Sequence, residues 1–189
     1  VKEIAKTADH IVTVSETSRK DIIDLLGISP ERVSNTYQSV SIPEKYANKS
    51  PEVVAREVSG TFNLEYKKYF MFWGAIEPKK NVGRLIEAYL ASGVEDPLVI
   101  VGSKAWKSDQ ELKLLYDENL KYFEQSGQKK SIKEKIIHLD YVPFSILVSL
   151  IKGAKATIFP SLYEGFGLPV LESMLLGTPV ITSNTSSIP

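Results

Sequence analysis

Residues 155–177 read KATIFPSLYEGFGLPVLESMLLG, an apolar run, a glycine-rich bend and the opening of a helical pattern in one stretch. Gly165 and Gly167 allow the backbone to turn tightly and to approach a ligand closely, and Pro169 suits the first position of a helix, so a helix is expected to start near Leu168. Such a start presents unpaired amide N–H groups and the positive end of the helix dipole, which together favour an anion. One carboxylate, Glu164, falls in the bend, and a second, Glu172, falls on the helix. Carboxylates accept hydrogen bonds from the neighbouring hydroxyls of a sugar or ribose, whereas the amides between them suit a diphosphate. The stretch therefore has the chemistry to grip a nucleotide sugar.

The same strand–bend–helix rhythm repeats along the chain. HIVTVS (10–15), YFMFWGA (69–75), PLVIVGS (97–103), KIIHLDYV (135–142), KATIFPS (155–161) and PVITSN (179–184) are short and rich in β-branched or aromatic residues, as strands buried in a parallel sheet are. Helices are expected over 18–26 ending at Gly27, over 82–91 with Asn81 as cap, over the charged stretch 109–125, over 144–151 ending near Gly153, and over 168–176 ending near Gly177. Strand followed by helix, repeated, gives an α/β fold with a Rossmann-like, doubly wound parallel sheet. Residues 46–65 break the pattern: this polar stretch contains Ser50-Pro51 and a glycine and reads as a connection between units.

In an open α/β sheet, ligands collect beyond the carboxyl ends of the strands at the topological switch point. The loops after the middle four strands should then face one cleft. They carry Gly74 with Lys79, Lys80 and Asn81, then Ser103 and Lys104, then Val142 beside the bend at Pro143, and finally Ser161 to Gly167 with Glu164 and Phe166.

Composition narrows the possibilities. The 189 residues carry 23 Lys plus Arg and 23 Asp plus Glu, so zero formal charge gives no electrostatic footprint for nucleic acid. There is no cysteine, which excludes disulfides and thiolate metal sites and is consistent with the cytoplasm. No apolar run reaches the roughly 20 residues that span a bilayer. GFG is not the GxGxxG dinucleotide fingerprint, and no GxxxxGK[ST] loop occurs, which disfavours a dehydrogenase, a sugar-nucleotide epimerase or a P-loop NTPase.

The run FPSLYEGFGLPVLESMLLGTPVITSNTSSIP (159–189) resembles the two-glutamate signature of the retaining glycosyltransferases of family 4, which have the GT-B fold. TADHIVTVSETSRKDIIDLLGI (7–28) resembles the last strand and helix of that family's N-terminal domain, and YFMFWGAIEPKKNVGRLIEAYL (69–90) the opening unit of its C-terminal domain. PLVIVGSKAW (97–106) and IIHLDYVPFSILVSLIKGAKATIFPS (136–161) resemble the units that follow. The resemblance implies a remnant of the N-terminal domain over 1–45, a connection over 46–65 and the donor-binding domain over 66–189, with the acceptor domain largely absent and the chain stopping at Pro189 where relatives continue. Such a piece is expected to hold a donor without catalysing transfer alone.

By position, the resemblance implies that Glu164 contacts the donor sugar and helps place its anomeric carbon. Gly165, Phe166, Gly167 and Leu168 would line the sugar and phosphates, Lys80 would neutralise the departing diphosphate, and Glu172 would hold the ribose. Gly74 and Ser103 would complete the donor cleft, and the backbone at Val142 would read the base. It further implies a GDP- or UDP-linked hexose such as mannose, no cofactor and no metal, and a glycan or lipid-linked saccharide acceptor met through the N-terminal domain. Polysaccharide assembly in the cytoplasm at the inner face of a membrane would fit. Two positions depart from the family: Ala75 follows Gly74 where many relatives have a basic residue, and TYQSV (36–40) replaces the usual interdomain sequence. A non-catalytic GT-B-like scaffold that binds a sugar nucleotide or glycan is the alternative reading. Taken singly, Lys79 reads as a surface residue, His10 and His138 as packing or solvent residues, and Trp73 and Trp106 as residues that pack rather than stack on a base.

Overall fold

The structure, a computed structural model, describes residues 2–105, 111, 113, 121–126 and 129–189. In chain order the elements are α1 (Lys2–Thr7), β1 (Ile11–Thr13), α2 (Glu16–Leu26), β2 (Val33–Asn35), α3 (Glu44–Ala47), α4 (Pro51–Phe62), β3 (Phe70–Trp73) and α5 (Val82–Ala91). They continue as β4 (Leu98–Val101), β5 (Lys121–Ser126), β6 (Lys129–Glu134), β7 (Ile136–Leu139), α6 (Phe144–Gly153), β8 (Ala156–Phe159), α7 (Leu168–Leu175) and β9 (Val180–Thr182).

Five strands form one parallel sheet in the order β7-β4-β3-β8-β9. Chain order reverses between β3 and β8, so the crevice beyond their carboxyl ends is the switch point. FMFW and LVIV are buried nearly throughout because β3 and β4 are central, which explains their continuous apolar runs. On α5, Val82, Leu85, Ile86 and Tyr89 bury one helical face, each worth about 2 kcal/mol of transfer free energy. Phe159 of β8 packs edge-on against Trp73 with ring centroids 4.7 Å apart, so Trp73 is a core residue as expected. A separate, smaller core of Ala5, Ile28 and Val33 lies under the parallel pair β1–β2 and the helix α2 that crosses between them.

Two expectations change. Residues 46–65 are largely helical: Ser50 and Pro51 start α4, with the Ser50 hydroxyl accepting from Val53 N, and Val54 and Val58 enter the main core against α6. What reads as a turn signal is a helix cap, because serine followed by proline serves both. The charged helix expected over 109–125 lies mostly outside the described residues, as does Trp106. Its last part, 121–125, is instead strand in the β5–β6 hairpin, where cross-strand pairing overrides a composition that favours helix.

Lys49 fastens the α3–α4 segment to α6. Its Nζ lies 2.7 Å from Glu57 Oε2 and donates to Ser149 Oγ at 2.8 Å and Ser145 O at 2.9 Å. Burial raises the Glu57 carboxyl, but hydrogen bonds from Lys49 and Ser149, with the Lys49 charge, outweigh it and hold the group below its ordinary 4.5. A depressed folded-state pKa gives stability that is present above the unfolded value and lost as pH falls through the folded one. Glu57→Gln is therefore expected to cost roughly 1 kcal/mol at neutral pH, discounted for partial exposure, and to flatten the loss of stability below pH ~4.5. Denaturant titrations of both proteins across pH 2.5–7 check this, and parallel acid limbs would refute it.

Candidate functional site

The site is built where β3 and β8 end. After β3 the chain turns at Gly74, which takes φ 131°, and passes through a short 3-10 turn, Pro78–Lys80, before α5. After β8 it passes Ser161 and Glu164 and enters α7 through Gly167 at φ 100°, a conformation that only glycine adopts easily. The predicted helix start at Leu168 is correct, with Pro169 in its second position. Gly165 is not left-handed, and a side chain there would meet open space.

The two loops lock together. Lys80 Nζ sits 2.6 Å from Glu164 Oε1, with the side chains only 14% and 11% exposed. Ser161 Oγ donates to the same oxygen at 2.7 Å. Leu162 N donates to Lys79 O at 2.7 Å, and Asn81 Nδ2 to Pro160 O at 3.1 Å. Asn81 occupies the cap position of α5, yet its side chain makes no capping bond because it is used in this cross-loop contact. The loop after β4 joins through backbone: Ile76 N donates to Ser103 O at 3.2 Å, Ala105 N donates to Ile76 O at 3.1 Å, and Ser103 itself is exposed.

Glu172 is half-buried on α7. Burial pushes its carboxyl above the ordinary 4.5, and a hydrogen bond with the Trp73 side chain draws it part of the way back. Val142 has its side chain in the main core. A ligand could then meet that position only through backbone. Phe166 is half-buried. Lys79 pairs with Glu77 at 3.2 Å on the surface. His138 Nε2 donates to Gly102 O at 2.9 Å, and His10 Nε2 lies 2.9 Å from Ser34 Oγ. Both histidines have structural partners.

Several contacts had no signal in the sequence. Glu164 N donates to Ser186 Oγ at 2.9 Å, and Ser187 Oγ donates to Glu164 O at 2.6 Å. Ser183 Oγ donates to Ser161 O at 2.6 Å, so residues 183–188 wrap the bend that carries Glu164. Serines in a loop are too common to single out, and only the proximity of β9 to β8 gives these a purpose.

The doubly wound α/β sheet, with a buried carboxylate and a lysine paired at its switch point, has the fold of the GT-B glycosyltransferases. HepE from Anabaena, solved with UDP and glucose, superposes with a TM-score of 0.73 at 17% identity over 97% of this chain and 47% of that one. Sucrose-phosphate synthase from Thermosynechococcus elongatus gives 0.72 at 20% identity over 99% and 43%. The family pattern of the glycosyl transferases group 1 matches residues 56–189, and the chain belongs to that family. It is 33% identical to O-antigen chain mannosyltransferase B of Escherichia coli over 99% of this chain and 46% of that protein. It is 29% identical to the O-antigen chain mannosyltransferase RfbU of Salmonella typhimurium over 97% and 44%. The chain thus spans less than half the length of these relatives. Among the described residues, no helix is long and apolar enough to cross a membrane.

Proposed function

We propose that the chain is the donor-binding part of a retaining glycosyltransferase of family 4, which moves a hexose from a nucleoside diphosphate to an acceptor hydroxyl. The observation that carries this reading is the Lys80–Glu164 pair at the switch point, since it sets a cation and a carboxylate side by side at the start of α7. Lys80 and the N-terminus of α7 would stabilise the negative charge that gathers on the leaving diphosphate. Glu164 would accept hydrogen bonds from the sugar hydroxyls beside the anomeric carbon. The amides from Gly165 to Leu168 would line the sugar and phosphates, Glu172 would hold the ribose, and the backbone at Val142 would meet the base. The mannosyltransferase names of the relatives favour a mannosyl donor, GDP- or UDP-linked, and a saccharide acceptor in polysaccharide assembly at a membrane's inner face. That HepE was solved with UDP and glucose supports a nucleoside diphosphate and a sugar as the ligand chemistry. Intact Lys80, Glu164 and Glu172 favour this over a non-catalytic sugar-nucleotide or glycan-binding scaffold.

Calorimetric titration with UDP, GDP and ADP tests the reading. One nucleotide is expected to bind selectively, and Glu172→Ala to weaken it by roughly tenfold or more, the value of at least one hydrogen bond to a charged group. Ribose hydroxyls donate to the ionised carboxylate, so affinity should fall as pH drops through the raised pKa of Glu172. Equal affinity of Glu172→Ala for that nucleotide would remove Glu172 from the site.

A further inference from the structure

Helix α2 belongs to the small N-terminal core, and its first turn reaches the bend that carries Glu164. Thr17 Oγ1 donates to Ser186 O at 3.0 Å, Ser18 Oγ donates to Gly165 O at 3.4 Å, and the Tyr163 hydroxyl donates to Asp21 Oδ2. Ser186 lies between the two parts. Its carbonyl takes the bond from Thr17, while its hydroxyl oxygen accepts from Glu164 N at 2.9 Å. Ser187 closes the loop by donating to Glu164 O at 2.6 Å. Both backbone polar groups of Glu164 are therefore held by one pair of consecutive serines.

Ser186 sits at φ 53°, a left-handed conformation that a non-glycine residue keeps only when its surroundings impose it. The bond from Thr17 is one such constraint. Without it, the peptide after Ser186 loses a partner and the residue can relax toward ordinary backbone angles, which moves the hydroxyl that Glu164 N uses. The Glu164 carboxylate is tied separately, to Lys80 and Ser161, so the serine pair governs where the backbone of residue 164 lies and the cation governs where its head points.

Resting on the function proposed above, we propose that Ser186 is a positioning residue for Glu164 and that Thr17 holds Ser186 in place, so that seating α2 on the bend aligns the Glu164 carboxylate for transfer. The relay joins the two cores of the chain through hydrogen bonds. Such contacts separate and re-form at low cost, so alignment of Glu164 would accompany the approach of the N-terminal unit.

Hydrogen exchange at the Glu164 amide, read by NMR, tests the relay without requiring activity. Thr17→Val keeps shape and removes the donor, while Thr17→Ser keeps the donor. The exchange rate at Glu164 is expected to rise about tenfold in Thr17→Val and in Ser186→Ala, and to stay near the parent value in Thr17→Ser. In the intact protein, Thr17→Val is expected to lower kcat about tenfold, because a small misplacement of a reacting group is costly, with the dissociation constant for the nucleoside diphosphate unchanged. An unaltered Glu164 amide in Thr17→Val, or equal damage from valine and serine, would overturn the relay. If the parent transfers no sugar to any acceptor, the functional reading fails, and the amide rates still decide whether Thr17 and Ser186 hold residue 164.

Discussion

Glu164→Ala in the intact protein is expected to lower sugar transfer by about a thousandfold, a barrier increase of about 4 kcal/mol, while the nucleoside diphosphate alone still binds. The asymmetry follows from where the carboxylate lies. Its side chain is 11% exposed, set between Lys80 and Ser161 in front of the α7 N-terminus, and on the proposed reading it would reach the sugar rather than the ribose near Glu172. On that reading, removing it would delete an interaction with the reacting centre but no contact with the nucleotide. It also frees Lys80 from its partner. A lone cation in this half-dry setting costs stability, so the alanine variant needs a folded control. Glu164→Gln supplies one, because an amide keeps the size and can still accept from Ser161 while losing the charge. The glutamine variant should also transfer poorly, yet bind the nucleoside diphosphate at least as well as the parent, since Lys80 no longer divides itself between carboxylate and phosphate. Initial rates with the sugar nucleotide and calorimetry with the nucleotide alone separate the two effects. Transfer within tenfold of the parent in both variants would take Glu164 out of the chemistry.

Which parts of this site can be read without coordinates depends on whether a signal is local. β3, β4 and β8 are visible because their residues are buried on both faces and so form largely apolar runs, FMFW and LVIV unbroken and ATIF interrupted by Thr157. The start of α7 is visible because the glycine at φ 100° and the proline in the first turn are local requirements. Glu164 and Lys80 are each legible as candidates, but their contact spans 84 residues and exists because β8 lies beside β3.

Other features gave no such signal, for definite reasons. β2 has three residues and buries only Val33, so it never develops a period. On α4 just Val54 and Val58 are fully buried, with Phe62 packed against the core from the last turn, and most of the remaining residues face solvent or polar partners, which makes it look like a linker. Lys49 and Glu57 add to its attachment, and charges of that kind ordinarily mark exposed surface. Ser186 and Ser187 matter through the backbone atoms they meet, and nothing about two adjacent serines announces that. The backbone approach of Gly74 and Gly102 is likewise invisible, because glycine after a strand most often serves a turn.

That approach carries the largest expected effect on stability. A Cβ added at Gly102 would lie 1.9 Å from Gly74 O and 3.0 Å from Gly74 C. The obstacle is backbone, so no rotamer change relieves it. Nor can either glycine step aside: Gly74 N donates to Val101 O at 2.9 Å, Gly102 N donates to Leu139 O at 2.8 Å, and His138 bonds Gly102 O, which fastens the ends of β3, β4 and β7 to one another. Relief would require parting the sheet at its ligand end. Gly102→Ala is therefore expected to cost at least about 3 kcal/mol, which for a chain of this size lowers the thermal midpoint by roughly 6–12 °C. Gly165→Ala is the matched control, since a side chain there meets open space and the φ is not left-handed. It should leave stability within about 0.5 kcal/mol of the parent and reduce affinity for a sugar nucleotide if the bend lines the donor. Calorimetric unfolding of the three proteins distinguishes these outcomes. A Gly102→Ala midpoint within about 2 °C of the parent, a shift worth under ~1 kcal/mol, would mean that the strand ends do not touch as described and that the loop bearing Lys80 is not held in place from this side.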